Sequence, residues 1–167
     1  ASATDALAQE WFIVPVNCAE FRIVPRANMS LALTTYGIDD GSNSGRTTTS
    51  EGNIFVQTIN TDSYQQRWYI YDSENHVVET DDYRSTLETD EYYITNKYVG
   101  KYLHRTGNTV DCKQGTINGL NAQEETVKWK IVNLGDGYCT IQRYDRPGLY
   151  MVPESTSSGS SITFRST

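Results

Sequence analysis

The chain has 167 residues, 37% of them hydrophobic, and a negative mean hydropathy, which suits one soluble-type domain with a single core. Its formal net charge of −7 repels phosphate backbones and anionic lipid head groups, so nucleic acid and anionic membrane surfaces are not expected partners. No apolar run approaches the roughly 18 residues of a membrane span, and no membrane insertion is expected.

Taken in chain order, the residues alternate as strands do. Gln9-Glu10-Trp11-Phe12-Ile13 comes first, and its period of two puts Trp11 and Ile13 on one face. A second run, Phe21-Arg22-Ile23, and a third, Leu31-Ala32-Leu33, follow. A Gly-, Ser- and Thr-rich stretch over 39–52 reads as a mobile connection, and a fourth run extends from Asn53 to Ile59. The series then starts again with Gln66-Arg67-Trp68-Tyr69-Ile70, Tyr92-Tyr93-Ile94, Tyr102-Leu103-His104 and Thr109 to Lys113. It starts a third time with Val127-Lys128-Trp129-Lys130-Ile131, Cys139-Thr140-Ile141, Tyr150-Met151-Val152 and Ile162 to Arg165. Glycine and proline turns separate second from third runs, as in Asp145-Arg146-Pro147-Gly148 and Tyr98-Val99-Gly100. An insertion rich in Asp and Glu, 72–91, stands where the other copies have 16–20 and 134–137, and Ser155 to Ser161 reads as a second mobile connection.

Trp11, Trp68 and Trp129 therefore recur at intervals of about 60 residues, each opening a four-strand unit. Three such units predict an all-β protein, a β-trefoil with three pseudo-repeats of four strands. The expected organisation is a single domain over 1–167, with repeats near 17–72, 73–133 and 134–167 and the strand at 9–16 completing the last. The first strand is then expected to pair with the C-terminal strand, which closes the structure without a free edge. The N-terminus carries neither Met nor the charged and apolar regions of a signal peptide, which reads as a processed chain or an excised domain.

Gln-x-Trp-x-Ile, then aromatic-x-Ile, then a glycine turn and Tyr-Leu resembles the ricin-B-type (R-type) β-trefoil lectins. The match is best over Tyr92-Tyr93-Ile94-Thr95-Asn96 and Gly100-Lys101-Tyr102-Leu103, and as a repeat grammar it spans roughly 9–165. The resemblance implies that the three Trp rings fill the pseudo-threefold centre, and that each repeat carries a shallow sugar pocket. Such a pocket combines an Asp after the third-run Leu, a fourth-run aromatic ring, and an amide beside Gln-x-Trp. A carboxylate and an amide grip paired hydroxyls, while a ring packs on the apolar face of the sugar. This chain departs from the pattern: the Asp positions read Leu33, His104 and Val152, and the amide positions read Gln65, Thr126 and Ala8. Repeat one is the least altered, with Gln65, Phe55 and Tyr64 and the acids Asp39 and Asp40. Repeat two offers His104, Asn108 and Asp111, with Asn118 and Asn121 in the loop before Trp129. Repeat three offers Tyr144 and Asp145, near Tyr150.

The expected function is a non-catalytic carbohydrate-binding lectin or module whose partners are glycans or glycoproteins, and a homodimer is compatible with it. Adjacent acids such as Asp39-Asp40 and Asp81-Asp82 point apart along the chain and form no acid/base pair across one bond. His76 and His104 lack metal-ligand spacing, and Cys18, Cys112 and Cys139 form neither a zinc motif nor a disulfide framework, so no metal and no cofactor is expected. The competing reading is a β-trefoil protease inhibitor acting through a protruding loop, with Tyr83-Arg84-Ser85 as a basic tip. Secreted and cytoplasmic locations fit the composition equally.

Overall fold

A computed structural model of the chain describes residues 7–35, 54–74, 76–79, 87–98, 100–107, 109–113 and 124–166. Six strands form a closed barrel: β1 (Glu10–Pro15), β2 (Phe21–Pro25), β5 (Trp68–Asp72), β6 (Asp90–Asn96), β9 (Lys128–Asn133) and β10 (Cys139–Arg143). Pairing runs from β1 through β2, β5, β6, β9 and β10 and back to β1, antiparallel throughout. Three hairpins complete the fold: β3 (Leu31–Thr34) with β4 (Phe55–Thr58), β7 (Tyr102–Thr106) with β8 (Thr109–Lys113), and β11 (Tyr150–Pro153) with β12 (Ile162–Arg165). The chain is a β-trefoil, and its twelve strands are the twelve runs read from the residues. A 3-10 turn at Tyr64–Gln66 and a helical turn at Glu124–Val127 precede the second and third Trp strands.

The alternation explains the barrel directly. Inward residues pair across strands in the same register three times: Ile13 with Ile23, Ile70 with Ile94, and Ile131 with Ile141. One layer along, Trp11 stands opposite Cys139, Trp68 opposite Phe21, and Trp129 opposite Tyr92. All six isoleucines and all three indoles are buried, at about 1.5–3 kcal/mol for each large apolar side chain removed from water.

Each indole also ties the barrel to a hairpin. Trp11 Nε1 donates to the Met151 carbonyl at 2.8 Å, Trp68 Nε1 to Leu33 at 3.0 Å, and Trp129 Nε1 to Leu103 at 3.1 Å. The one polar atom on each ring thereby finds a partner inside the core, which an indole needs when buried. The Gln of Gln-x-Trp has a similar part: Gln66 Nε2 donates to the Thr58 carbonyl at 3.0 Å and to Thr34 Oγ1 at 3.3 Å, and its Oε1 accepts from the Asn60 N–H at 2.9 Å.

Two expectations are corrected here. β1 does not pair with the C-terminal strand β12; it pairs with β10 and β2, and the Trp11 indole reaches across to the last hairpin. A Trp strand follows a hairpin strand in the chain, but the barrel closes between Trp strands and second-run strands. Ser155 to Ser161 is not a loose connection either. The Val56 N–H donates to the Ser160 carbonyl at 2.9 Å, and the Gly159 N–H donates to the Val56 carbonyl at 2.7 Å, docking this turn on β4. Gly159 meets the bend with φ 93°, a left-handed conformation that glycine adopts without a Cβ penalty.

Candidate functional site

The three indole bonds define equivalent positions in the hairpins: Leu33, Leu103 and Met151. The residue that follows, where the resemblance places an Asp, is therefore Thr34, His104 and Val152. The first of these corrects the expected Leu33, which is one residue early because Leu31-Ala32-Leu33 offers two leucines to align. All three side chains are buried, His104 at 4% exposure, and none is a carboxylate. In register they face Phe55, Asp111 and Thr163.

The remaining expected site residues fall in three places. In repeat one, Phe55 is half-buried at the start of β4, and Tyr64 is half-buried in the 3-10 turn with Lys97 Nζ 4.1 Å from its ring centroid. Gln65 lies beside them but is 5% exposed, its Nε2 donating to the Thr35 carbonyl at 3.3 Å. Its own carbonyl accepts from Asn96 Nδ2 at 2.9 Å and from the Thr35 N–H at 3.1 Å. Gln65 is thus built into the join between repeats. In repeat two, Asp111 stands in β8 opposite His104. In repeat three, Tyr144 is half-buried with Lys128 Nζ 4.9 Å from its centroid. Asp145 accepts a fork from Arg143, Nε to Oδ1 at 3.0 Å and Nη2 to Oδ2 at 2.7 Å, with Arg105 Nη2 3.4 Å from Oδ2. The Arg143 hydrogen bond, with the Arg105 and Arg143 charges, holds the Asp145 carboxyl below the ordinary range although burial opposes them. Asp39, Asp40, Asn108, Asn118 and Asn121 lie outside the described residues, as does Tyr83-Arg84-Ser85.

Two further features were not singled out in the sequence. The first is a cleft of about 330 Å³ where the ends of the 72–91 insertion fold back on the barrel. The Val78 N–H donates to the Ile70 carbonyl at 2.7 Å, and Val78 and Leu87 pack on the core. Tyr92 lines the cleft with Asp72, Glu88 and Asp90. Burial, then the charges of Asp90, Glu88 and Asp72, push its phenol up to about 12. The second is a knot of charge at the β1–β2 turn. Glu20, 7% exposed, takes ion pairs from Lys97 and from Arg67 Nη1 (3.7 Å) and a hydrogen bond from Asn17. Burial pushes its carboxyl up, but Lys97, Asn17 and Arg67 together hold it below the ordinary value. Arg22 lies close enough to this knot to feel the Arg67 charge.

Cys18 and Cys139 are free thiols, and among the described residues no group of three or more His, Cys, Asp or Glu side chains could hold a metal ion. No helix among the described residues is long and apolar enough to cross a membrane.

No family model and no curated protein matches the sequence. Among solved structures, the chain is similar to the designed threefold-symmetric protein ThreeFoil, at TM-score 0.59 and 21% identity over 89% of each chain. It is also similar to part of a mosquitocidal holotoxin, at TM-score 0.60 and 14% identity over 92% of this chain but only 16% of the toxin chain. A third likeness is to the cytolethal distending toxin of Haemophilus ducreyi, at TM-score 0.54 and 10% identity over 99% of this chain and 76% of the other. At these identities the likeness is one of fold: what the chain shares with them is the β-trefoil.

Proposed function

We propose that this chain is a non-catalytic glycan-binding module that takes a sugar on the rim of its first repeat. The reading is carried by one observation: Phe55 and Tyr64 are half-buried aromatic rings on neighbouring segments of repeat one, joined through the Thr35–Gln65 backbone hydrogen bond. Phe55 on its hairpin strand and Tyr64 in the 3-10 turn each leave part of a ring to pack on the C–H surface of a sugar, and neighbouring hydroxyl and carbonyl groups serve the hydroxyls. The trefoil likeness is compatible with this use of the fold, and a fold alone does not imply a function. The positions at which R-type lectins carry Asp are closed here, so a sugar held in this rim is gripped differently from theirs.

The test is a glycan array read with the whole chain and with Phe55→Ala and Tyr64→Ala. Specific binding that drops about tenfold or more in either variant supports the reading, a loss of about 1.4 kcal/mol. Gln65→Ala is a poor probe, because its amide holds the Thr35 carbonyl. Absence of binding to every glycan, together with tight inhibition of a protease in a parallel panel, overturns it in favour of the inhibitor reading.

A further inference from the structure

Arg22 is a half-buried cation with no counter-charge among the described residues. It points outward from β2, yet its Nε is shut off from water and has no hydrogen-bond partner. Directly across the β2–β5 ladder, one step from the Phe21–Trp68 pair, stands Arg67, whose Nε is likewise buried and unpartnered. Burial and the Arg67 charge press on the Arg22 guanidinium from the same direction. Arginine cannot relieve that pressure by losing its proton. Like charges opposite each other on a sheet destabilise it, and an unsatisfied buried donor needs an explanation, a bound ion among them.

The other two repeats show what the fold does at this place otherwise. The pair equivalent to Arg22–Arg67 is Tyr93–Lys128 on β6 and β9, where the ammonium lies over the ring at 5.7 Å. On β10 and β1 it is Thr140–Glu10, where Glu10 is paired with Arg26. Two of the three sites are thus complementary within the chain, and only the first is a cation facing a cation. The Glu20 carboxylate that pairs with Arg67 is shared among Lys97, Asn17 and Arg67, and no ion pair joins it to Arg22. Among the described residues, Arg22, Arg67 and Lys97 around Glu20 make a local positive surplus on a chain whose formal net charge is −7.

We propose that the Arg22–Arg67 pair is a binding site for an oxyanion, a carboxylate or sulfate group. The Arg22 guanidinium on β2 and the Arg67 guanidinium, one residue before β5, offer planar N–H donors that such a group can bridge. Where the chain acts as a glycan-binding module, and resting on that reading, the oxyanion is the acidic group of a uronic or sialic acid, or the sulfate of a sulfated sugar.

The site is tested on the whole chain by NMR of the arginine Nε–H resonances and by thermal unfolding. The probes are acetate, sulfate, glucuronic acid and neutral glucose, with chloride at matched ionic strength as reference. The expected result is a saturable shift of two Nε–H resonances with the oxyanions and none with glucose. R22Q removes that shift and leaves the melting temperature in chloride unchanged or higher; R22K, which keeps a charge but not the fork, weakens the shift at least several-fold. Sulfate stabilises most proteins by exclusion from their surface, so the thermal readout is the difference between the chain and R22Q. If the chain and R22Q respond alike, or no oxyanion shifts the resonances at millimolar concentration, the proposal is wrong. Glucuronic acid binding more tightly than acetate places the oxyanion on a sugar. Equal binding keeps the site and removes the sugar from it, independently of whether the repeat-one rim binds neutral glycans.

Discussion

Replacing Trp68 with phenylalanine separates the two duties of the indole. The ring is fully buried, and its Nε1 donates to the Leu33 carbonyl at 3.0 Å. Phenylalanine keeps most of the aromatic volume but abandons that carbonyl inside the core. An orphaned buried acceptor costs about 1–3 kcal/mol, and the space of the lost ring atoms adds roughly 1–2 kcal/mol. Trp68→Phe should therefore destabilise the chain by about 2–5 kcal/mol, a large part of the 5–15 kcal/mol typical of a domain. At this size each kcal/mol moves the melting temperature by about 2–4 °C. The measurement is urea unfolding followed by far-ultraviolet circular dichroism, which does not depend on the fluorescence of the residue removed. The pseudo-threefold arrangement supplies the control: Trp11→Phe and Trp129→Phe lose equivalent bonds to Met151 and Leu103 and should cost similar amounts at an unchanged m-value. A cost below about 1 kcal/mol at all three sites would refute the claim that these bonds join hairpins to barrel, since that is less than one orphaned acceptor.

Three further outcomes follow from the environments described. Tyr92 and Cys139 are both pushed up to about 12, by burial first in each case. The folded chain then holds protons that the unfolded chain releases from about pH 9 to 10 upward, so stability should fall between roughly pH 9 and 12 at about 1.4 kcal/mol per pH unit per group. Tyr92→Phe should flatten the part of that slope above about pH 10, as measured by urea unfolding across the range. Asp145→Asn removes the carboxylate from Arg143, which is 7% exposed, and should cost about 1–3 kcal/mol by the same method, whereas an unchanged midpoint would mean that water replaces the pair. In the native chain a thiol reagent should modify exposed Cys18 rapidly and buried Cys139 only at the rate of opening, read by intact mass over time. Equal rates would contradict the burial of Cys139.

The residues alone carry most of the fold because period-two alternation and a recurring Trp-x-Ile are local signals. Side-chain direction alternates strictly along a strand, so Trp11 and Ile13 had to share the inward face wherever the strand was placed. Twelve strands in three sets were legible on that basis, and the core role of the three indoles is what the lectin resemblance implies. What pairs with what was not. Closure through β1 and β10 depends on strands more than a hundred residues apart, and chain order alone suggested β12 instead. The same limit governs the sites. The lectin resemblance names Phe55 and Tyr64 as ring positions of repeat one, but the burial of Gln65 and His104 depends on contacts between segments far apart in the chain. Arg22 and Arg67 each read as an ordinary outward residue next to an inward anchor. Nothing local says that they face each other, because Arg22 belongs to β2 and Arg67 directly precedes β5, and only the barrel register sets cation against cation.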